Sequence, residues 1–260
     1  MKRETRNTVV IVAAVLTVFG AAYLGLIMYS GTSSPFYTVE SGSMMHSDYS
    51  KIGIIDTGDM VIVRDPSKVN IVTYVEGRGT GYRMFGDHGD VVLYDRGGGT
   101  PIIHRAIMWA EYDGSKWDIS SLAGYDGDWY LNGTPGSSFD ADDLKAVNGE
   151  LRFNGFGYNE RTVVIALDGL LPPSSGPAKG YVTKGDNNAI VDRYLVTEDK
   201  VIAVAANEIP WLGCIKLLIT GTDNGKIPTN SLIWLVTVPI LIVASVVAVG
   251  YLFKIVRKKK

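Results

Sequence analysis

Two long charge-free runs constrain this chain more than anything else in it. No Asp, Glu, Lys or Arg occurs from Asn7 to Val39 or from Ile227 to Phe253. Within them, Thr8 to Met28 and Ser231 to Phe253 are nearly continuous apolar stretches, and about 20 such residues in a helix span the roughly 30 Å hydrocarbon core of a bilayer. Backbone in that environment must bond to itself, so each run is expected to be a transmembrane helix. Pro239 removes one helical hydrogen bond from the second, a loss that bilayer helices tolerate when neighbours resatisfy the carbonyl. Trp234 and Tyr251 fall near its ends, where interfacial aromatics sit. A cleaved signal peptide is the alternative for the first run, with Thr8 to Phe19 as its apolar core and Gly20-Ala21-Ala22 as the cut, but Tyr23 to Met28 prolongs the run beyond what that needs.

The charge pattern orients these spans. Lys2, Arg3 and Arg6 precede the first, and Lys254, Arg257, Lys258, Lys259 and Lys260 follow the second. Under the positive-inside rule both termini are expected to be cytoplasmic. The region between them, about 31 to 230, is then extracytoplasmic or lumenal, which predicts a two-span protein of the cell membrane. The overall net charge of −2 hides this asymmetry, because residues 31–230 carry 17 basic against 26 acidic residues. No basic stripe is available to neutralise phosphates, which argues against a nucleic-acid partner. One cysteine, Cys214, makes an internal disulfide impossible, and without Cys/His clusters no structural metal site is expected. Neither a metal nor a cofactor is called for.

Between the spans the periodicity is strand-like. Met60 to Val63, Val91 to Tyr94, Ile102 to Met108, Thr162 to Leu167, Tyr181 to Thr183 and Val201 to Ala205 are β-branched runs bounded by Gly, Asp, Asn or Pro. They predict a mainly β, antiparallel domain, with at most one or two helical turns at Ala141 to Val147. Three parts follow: 1–30 with the first span, 31–230 as the extracytoplasmic domain, and 231–260 with the second span and basic tail. Residues 111–179, rich in Gly, Asp and aromatics, read as an inserted β subdomain whose aromatics form its core, and Leu171 to Gly180 as the linker leaving it.

Immediately after the first span comes Val39-Glu40-Ser41-Gly42-Ser43-Met44-Met45. A serine hydroxyl needs a base to become a nucleophile. His46, His88 and His104 are the only imidazoles. His46 lies three residues from Ser43 and is expected at the surface, and His88 in a solvated turn before Gly89-Asp90. His104, inside a strand, is either a structural histidine satisfied by a neighbour or a base. Lys184 offers an alternative Ser/Lys dyad, since burial lowers a lysine's pKa. The two methionines after Ser43 are suited to dip towards lipid.

Taken together, Ser41-Gly42-Ser43-Met44-Met45, Gly58-Asp59-Met60-Val61-Ile62-Val63, Gly89-Asp90-Val91-Val92-Leu93-Tyr94, Ile103-His104-Arg105 and Thr183-Lys184-Gly185-Asp186-Asn187-Asn188 with Asp192 resemble, in order, the five boxes of the type I signal peptidases. With His104 where bacterial members have Lys, the chain is similar to the archaeal and endoplasmic-reticulum branch. The resemblance implies a signal-peptidase-like antiparallel β catalytic domain, with Ser43 as nucleophile, His104 as general base and Asp192 orienting the histidine. It gives Ser41 and Asp186 supporting roles, Ser41 beside the Ser43 amide in an oxyanion hole. The composition of Gly185-Asp186-Asn187-Asn188 further predicts a tight turn in which the Asp186 side chain bonds backbone amides. The insertion at 111–179 departs from compact members of the family.

The expected activity is that of a membrane-bound serine endopeptidase that cleaves signal peptides from exported preproteins after small residues. Its expected partners are those peptides, membrane lipid and the secretion translocon. The rivals are a related protease with one dedicated membrane precursor and a catalytically silent membrane-anchored binding module. The orientation is open to direct test. A protease added outside sealed cells is expected to cut the loop from Gly114 to Gly136 and to spare the tail at Lys258 to Lys260; a protected loop with an accessible tail would invert the topology.

Overall fold

A computed structural model describes residues 3–172, 176–222 and 226–258. Part of the linker sequence and the basic residues Lys2, Lys259 and Lys260 lie outside the described residues. Both charge-free runs are single helices: α1 covers Arg3–Ser30, and the C-terminal helix covers Thr229–Lys258 and continues through Pro239. Each is long and apolar enough to cross a membrane, with mean hydropathy of 2.5 over Thr5–Ser30 and 2.8 over Thr229–Tyr251, and neither is buried against the protein. The chain between them is mainly antiparallel β structure, as expected.

The strands in chain order are β1 (Phe36–Thr38), β2 (Met60–Arg64), β3 (Arg83–Met84), β4 (Asp87–His88), β5 (Val91–Tyr94), β6 (Ile102–Tyr112), β7 (Trp117–Asp118), β8 (Asp128–Leu131), β9 (Thr134–Pro135), β10 (Glu150–Phe156), β11 (Arg161–Ala166), β12 (Ala178–Lys184) and β13 (Val201–Ile209). The principal sheet runs β1-β2-β13-β5-β6-β12, with β7 added to β6, and the inserted sheet runs β11-β10-β8-β9. Two short helices, α2 (Tyr74–Thr80) and α3 (Cys214–Thr220), precede the long C-terminal α4.

Every β-branched run named above became a strand, because alternation fits two-sided burial. On β5, Val91 and Leu93 enter one core cluster with Val61 and Val63, while Val92 and Tyr94 enter another with Val201 and Val204. The Ala141 to Val147 segment forms turns, not helix. Helix α2 was hidden in a Gly-rich stretch, yet its start has a capping box: Thr73 Oγ1 accepts from Glu76 N, and Glu76 returns a carboxylate to Thr73 N.

The insertion is indeed a small β sheet with aromatics inside. Trp117, Trp129, Phe153 and Phe156 are buried, but in one continuous cluster with Ile107 and Met108 of β6, Val182 of β12 and Tyr74 of α2. Tyr74 packs on Phe156 at 4.0 Å between ring centroids, and its hydroxyl accepts from Gly157 N. A shared core predicts shared cooperativity. Phe153→Ala is expected to cost about 3–5 kcal/mol and to shift one common unfolding transition in detergent, whereas a separate early transition would mean that the insertion unfolds by itself.

Candidate active site

Alternation along β6 sorts the site into two faces. Its register pairs His104 with Val92 and Arg105 with Val91, and β12 sets Thr183 opposite Ala106 and Lys184 opposite Arg105. His104 and Thr183 therefore share one face, and Arg105 and Lys184 the other.

On the first face, His104 Nδ1 lies 2.6 Å from Asp192 Oδ2. The same oxygen accepts from the hydroxyls of Thr183 at 2.7 Å and Tyr94 at 2.9 Å. Burial alone would raise the Asp192 carboxyl, but the hydrogen bond and charge of His104, with the Thr183 and Tyr94 hydroxyls, hold it below its ordinary value. An ionised carboxylate only accepts, so Nδ1 is the donor, and a neutral ring then carries its lone pair at Nε2. Backbone fixes the aspartate as well, because Asp192 N donates to Thr183 O.

On the second face, Arg105 is 1 % exposed. Its Nε and NH2 groups donate to the two oxygens of Asp186 at 2.8 and 2.6 Å, and its NH1 group donates to backbone carbonyls including Met84 and Gly89. His46 Nε2 completes the cluster, 2.9 Å from Asp186 Oδ2. Burial opposes the Asp186 charge, yet the Arg105 guanidinium and the His46 ring hold its carboxyl at about 2. The expected turn is present, closed by Asn188 N donating to Gly185 O. The Asp186 side chain, however, does not bond the turn's amides. It points into the protein, because a guanidinium buried this deeply must be neutralised.

His46 is likewise a correction to the sequence reading. Its side chain is only 8 % exposed, held by Asp186 and stacked on Tyr158 with ring centroids 3.7 Å apart. His88 is half-buried, with Nδ1 3.2 Å from the carbonyls of Gly77 and Tyr82, so it is not simply solvated. Met44 and Met45 do not dip towards lipid either. Met44 joins Val39 and Ile55 in the core, and Met45 Sδ accepts from Thr57 Oγ1. Lys184 Nζ donates to the carbonyls of Gly185 and Asp186, and burial lowers its pKa. Its bonds serve the turn and not Ser43.

The turn clamps the serine loop. Asn187 N donates to Ser43 O at 2.8 Å, and Asn187 Nδ2 donates to Gly42 O at 3.1 Å. A side chain at Gly185 would collide with both partners: its Cβ would stand 2.7 Å from Ser43 O and 2.9 Å from His104 Nε2. The serine backbone and the histidine ring thus flank one glycine. Ser41 Oγ and Ser43 Oγ are 3.2 Å apart, brought together by bends and a turn, not by the extended segment that their spacing suggested. Among the described residues Ser43 Oγ makes no hydrogen bond to His104 Nε2, and the Ser43 amide has no acceptor. Ser–His bonds of this kind commonly tighten only when substrate is bound.

Ser43, Ser41, His46 and Asn187 line a cleft of about 780 Å3, to which the insertion adds Tyr158 and Arg161 and the approach to α4 adds Lys226 to Thr229. At the loop's far end, Asn230 in the first turn of α4 exchanges two hydrogen bonds with the backbone of Ser50, and Trp211 Nε1 donates to Ser50 Oγ. Beyond β2, Asp65 N donates to Ser30 O of α1. The serine loop is thus tied to the domain end of α4, while α1 is tied to the far end of β2. Among the described residues no group of three or more His, Cys, Asp or Glu side chains is placed to hold a metal.

No protein-family model matches the chain, and no curated protein matches it.

The two carboxylates are expected to respond differently to amidation. Asp186→Asn leaves Arg105 buried without its neutralising charge, and the expected cost is about 3–5 kcal/mol of stability, read by thermal or chemical unfolding. The pH dependence has a definite sign. The folded value of Asp186 lies below its ordinary 3.8, so its contribution is complete above that value and is lost as pH falls towards about 2. Equal acid sensitivity of the parent and Asp186→Asn would contradict this assignment.

Proposed function

We propose that this chain is a membrane-bound serine endopeptidase that removes signal peptides from exported preproteins, with Ser43 as nucleophile, His104 as general base and Asp192 as the orienting acid. The observation that carries the reading is the 2.6 Å contact between His104 Nδ1 and Asp192 beside the glycine that also abuts Ser43. The resemblance of the five boxes to type I signal peptidases supports it independently.

In this reading Ser43 Oγ attacks the scissile carbonyl carbon while its proton passes to His104 Nε2. That proton then goes to the leaving amine, and water, deprotonated by the same nitrogen, releases the acyl group from Ser43. Asp192 keeps Nδ1 protonated and stabilises the imidazolium. The free amide of Ser43 and the hydroxyl of Ser41 are the candidate donors to the oxyanion. Preprotein segments bind extended along a strand edge, with small side chains before the cut.

Membrane depth favours a signal-peptide substrate. The serine loop follows α1 after only the short strand β1 and is tied at Ser50 to the start of α4. A nucleophile so placed meets a bond just outside the bilayer, where the apolar core of a signal peptide ends. Both termini are then cytoplasmic, the β domain faces out of the cell membrane, and the secretion translocon supplies the substrate.

Cleavage of a preprotein in liposomes tests the proposal. Ser43→Ala is expected to remain folded and inserted and to lose about six powers of ten in kcat, and Asp192→Asn to lose about four while folding normally. Parent-level cleavage by Ser43→Ala would end the serine-protease reading. Normal cleavage by Asp192→Asn together with a folded but inactive Asp186→Asn would reverse the two carboxylates.

A further inference from the structure

One wall of the cleft comes from outside the catalytic sheet. The turn between β10 and β11 in the insertion is docked on the serine loop: Tyr158 stacks on His46 with ring planes within 5°, and its hydroxyl donates to Met45 O at 3.4 Å. Three residues later Arg161 opens β11 and lines the same cleft as Ser43. Its side chain is exposed, and among the described residues its guanidinium has neither a hydrogen bond nor an ion pair. The charge lies close enough to the Gly185 turn to act on the buried Lys184 ammonium. Asp48 is the one acidic side chain lining this cleft among the described residues, and it is not paired with Arg161. A guanidinium fixed to a cleft wall without a partner presents a fork of donors suited to a carboxylate.

Which part of a substrate meets it follows from the other wall. On the signal-peptidase reading, residues before the cut lead out of the bilayer and would pass the segment entering α4, Lys226 to Thr229, which also lines the cleft. The insertion's wall is left to residues after the cut.

We propose that Arg161 is a specificity-determining residue, binding an Asp or Glu side chain within the first few residues after the scissile bond and so favouring preproteins whose mature chain starts acidic. This rests on the signal-peptidase reading of the site. The insertion is then a substrate-selecting element carried on the catalytic domain.

The test uses the full chain in liposomes and preproteins identical except for Asp, Asn or Lys at one of the first three positions after the cut. At one of these positions kcat/KM is expected to fall in the order Asp, Asn, Lys by about fivefold per step, the scale of a solvent-accessible ion pair. The difference should lie mainly in KM and shrink at high salt. Within each variant, Arg161→Ala should flatten the series and Arg161→Glu should invert it. Lys145→Glu, an equal charge change elsewhere on the insertion, should keep the parent's order. The inference is overturned if the parent treats the three residues alike at every position, if Arg161→Glu keeps the parent's order, or if folded Arg161→Ala cleaves nothing. Should the parent cut none of these preproteins, or cut them as well after Ser43→Ala, the protease reading itself fails and the inference with it.

Discussion

A buried guanidinium sets the terms for everything around it. Arg105 lies in the first half of β6 with almost no contact with water, and an ion so placed carries a desolvation cost of several kcal/mol unless charge and hydrogen bonds offset it. Asp186 supplies the charge, and carbonyls from the β3–β4 hairpin and Gly89 take the remaining protons. Once Asp186 is committed, the turn it belongs to is committed too. Asn187 then holds the serine loop through Ser43 O and Gly42 O, and Gly185 brings that loop against His104. The His104–Asp192 pair sits on one face of β6, and the serine loop is held against it by an ion pair on the other.

Much of this was legible in the sequence because it is local. Six β-branched runs became six strands, since alternation and bounding turn residues are read within a few positions of one another. The apolar runs became helices for the same reason. His104 and Asp192 were legible as a pair only through the order of the boxes, as nothing in a spacing of 88 residues says that two side chains meet. The fate of Asp186 was not legible. Its neighbours Gly185 and Asn187 have turn composition and the turn is there, but the direction of its side chain was decided by Arg105, 81 residues away in the chain.

His46 shows the same limit from the other side. A histidine three residues from Ser43, in a polar loop, looks solvated by composition. It is buried because Asp186 meets it from the fifth box and Tyr158 covers it from the insertion. Arg161 was silent in sequence for a related reason, as an arginine opening a strand in an accessory sheet is an ordinary surface residue until that sheet is seen to face the serine. Helix α2 differs, since its capping box at Thr73 and Glu76 was readable and was masked only by the glycines that follow.

In the proposed reading the nucleophile sits on a loop, not a strand, because of where the loop must go. Loops can be aimed, but alone they hold a hydroxyl loosely, and a misplacement of about 1 Å is enough to cost catalysis a hundredfold. Here the loop is fixed at four separated points: Met44 in the core, Ser43 O and Gly42 O at the Asn187 clamp, His46 between Asp186 and Tyr158, and Ser50 at the start of α4. Three of these anchors belong to the β domain, and the fourth belongs to a helix built for a bilayer. A shift of α4 relative to the domain therefore acts first on Ser50 and only through the other three anchors on Ser43. In the proposed reading that arrangement lets the membrane set the depth of Ser43 while the β domain sets its geometry.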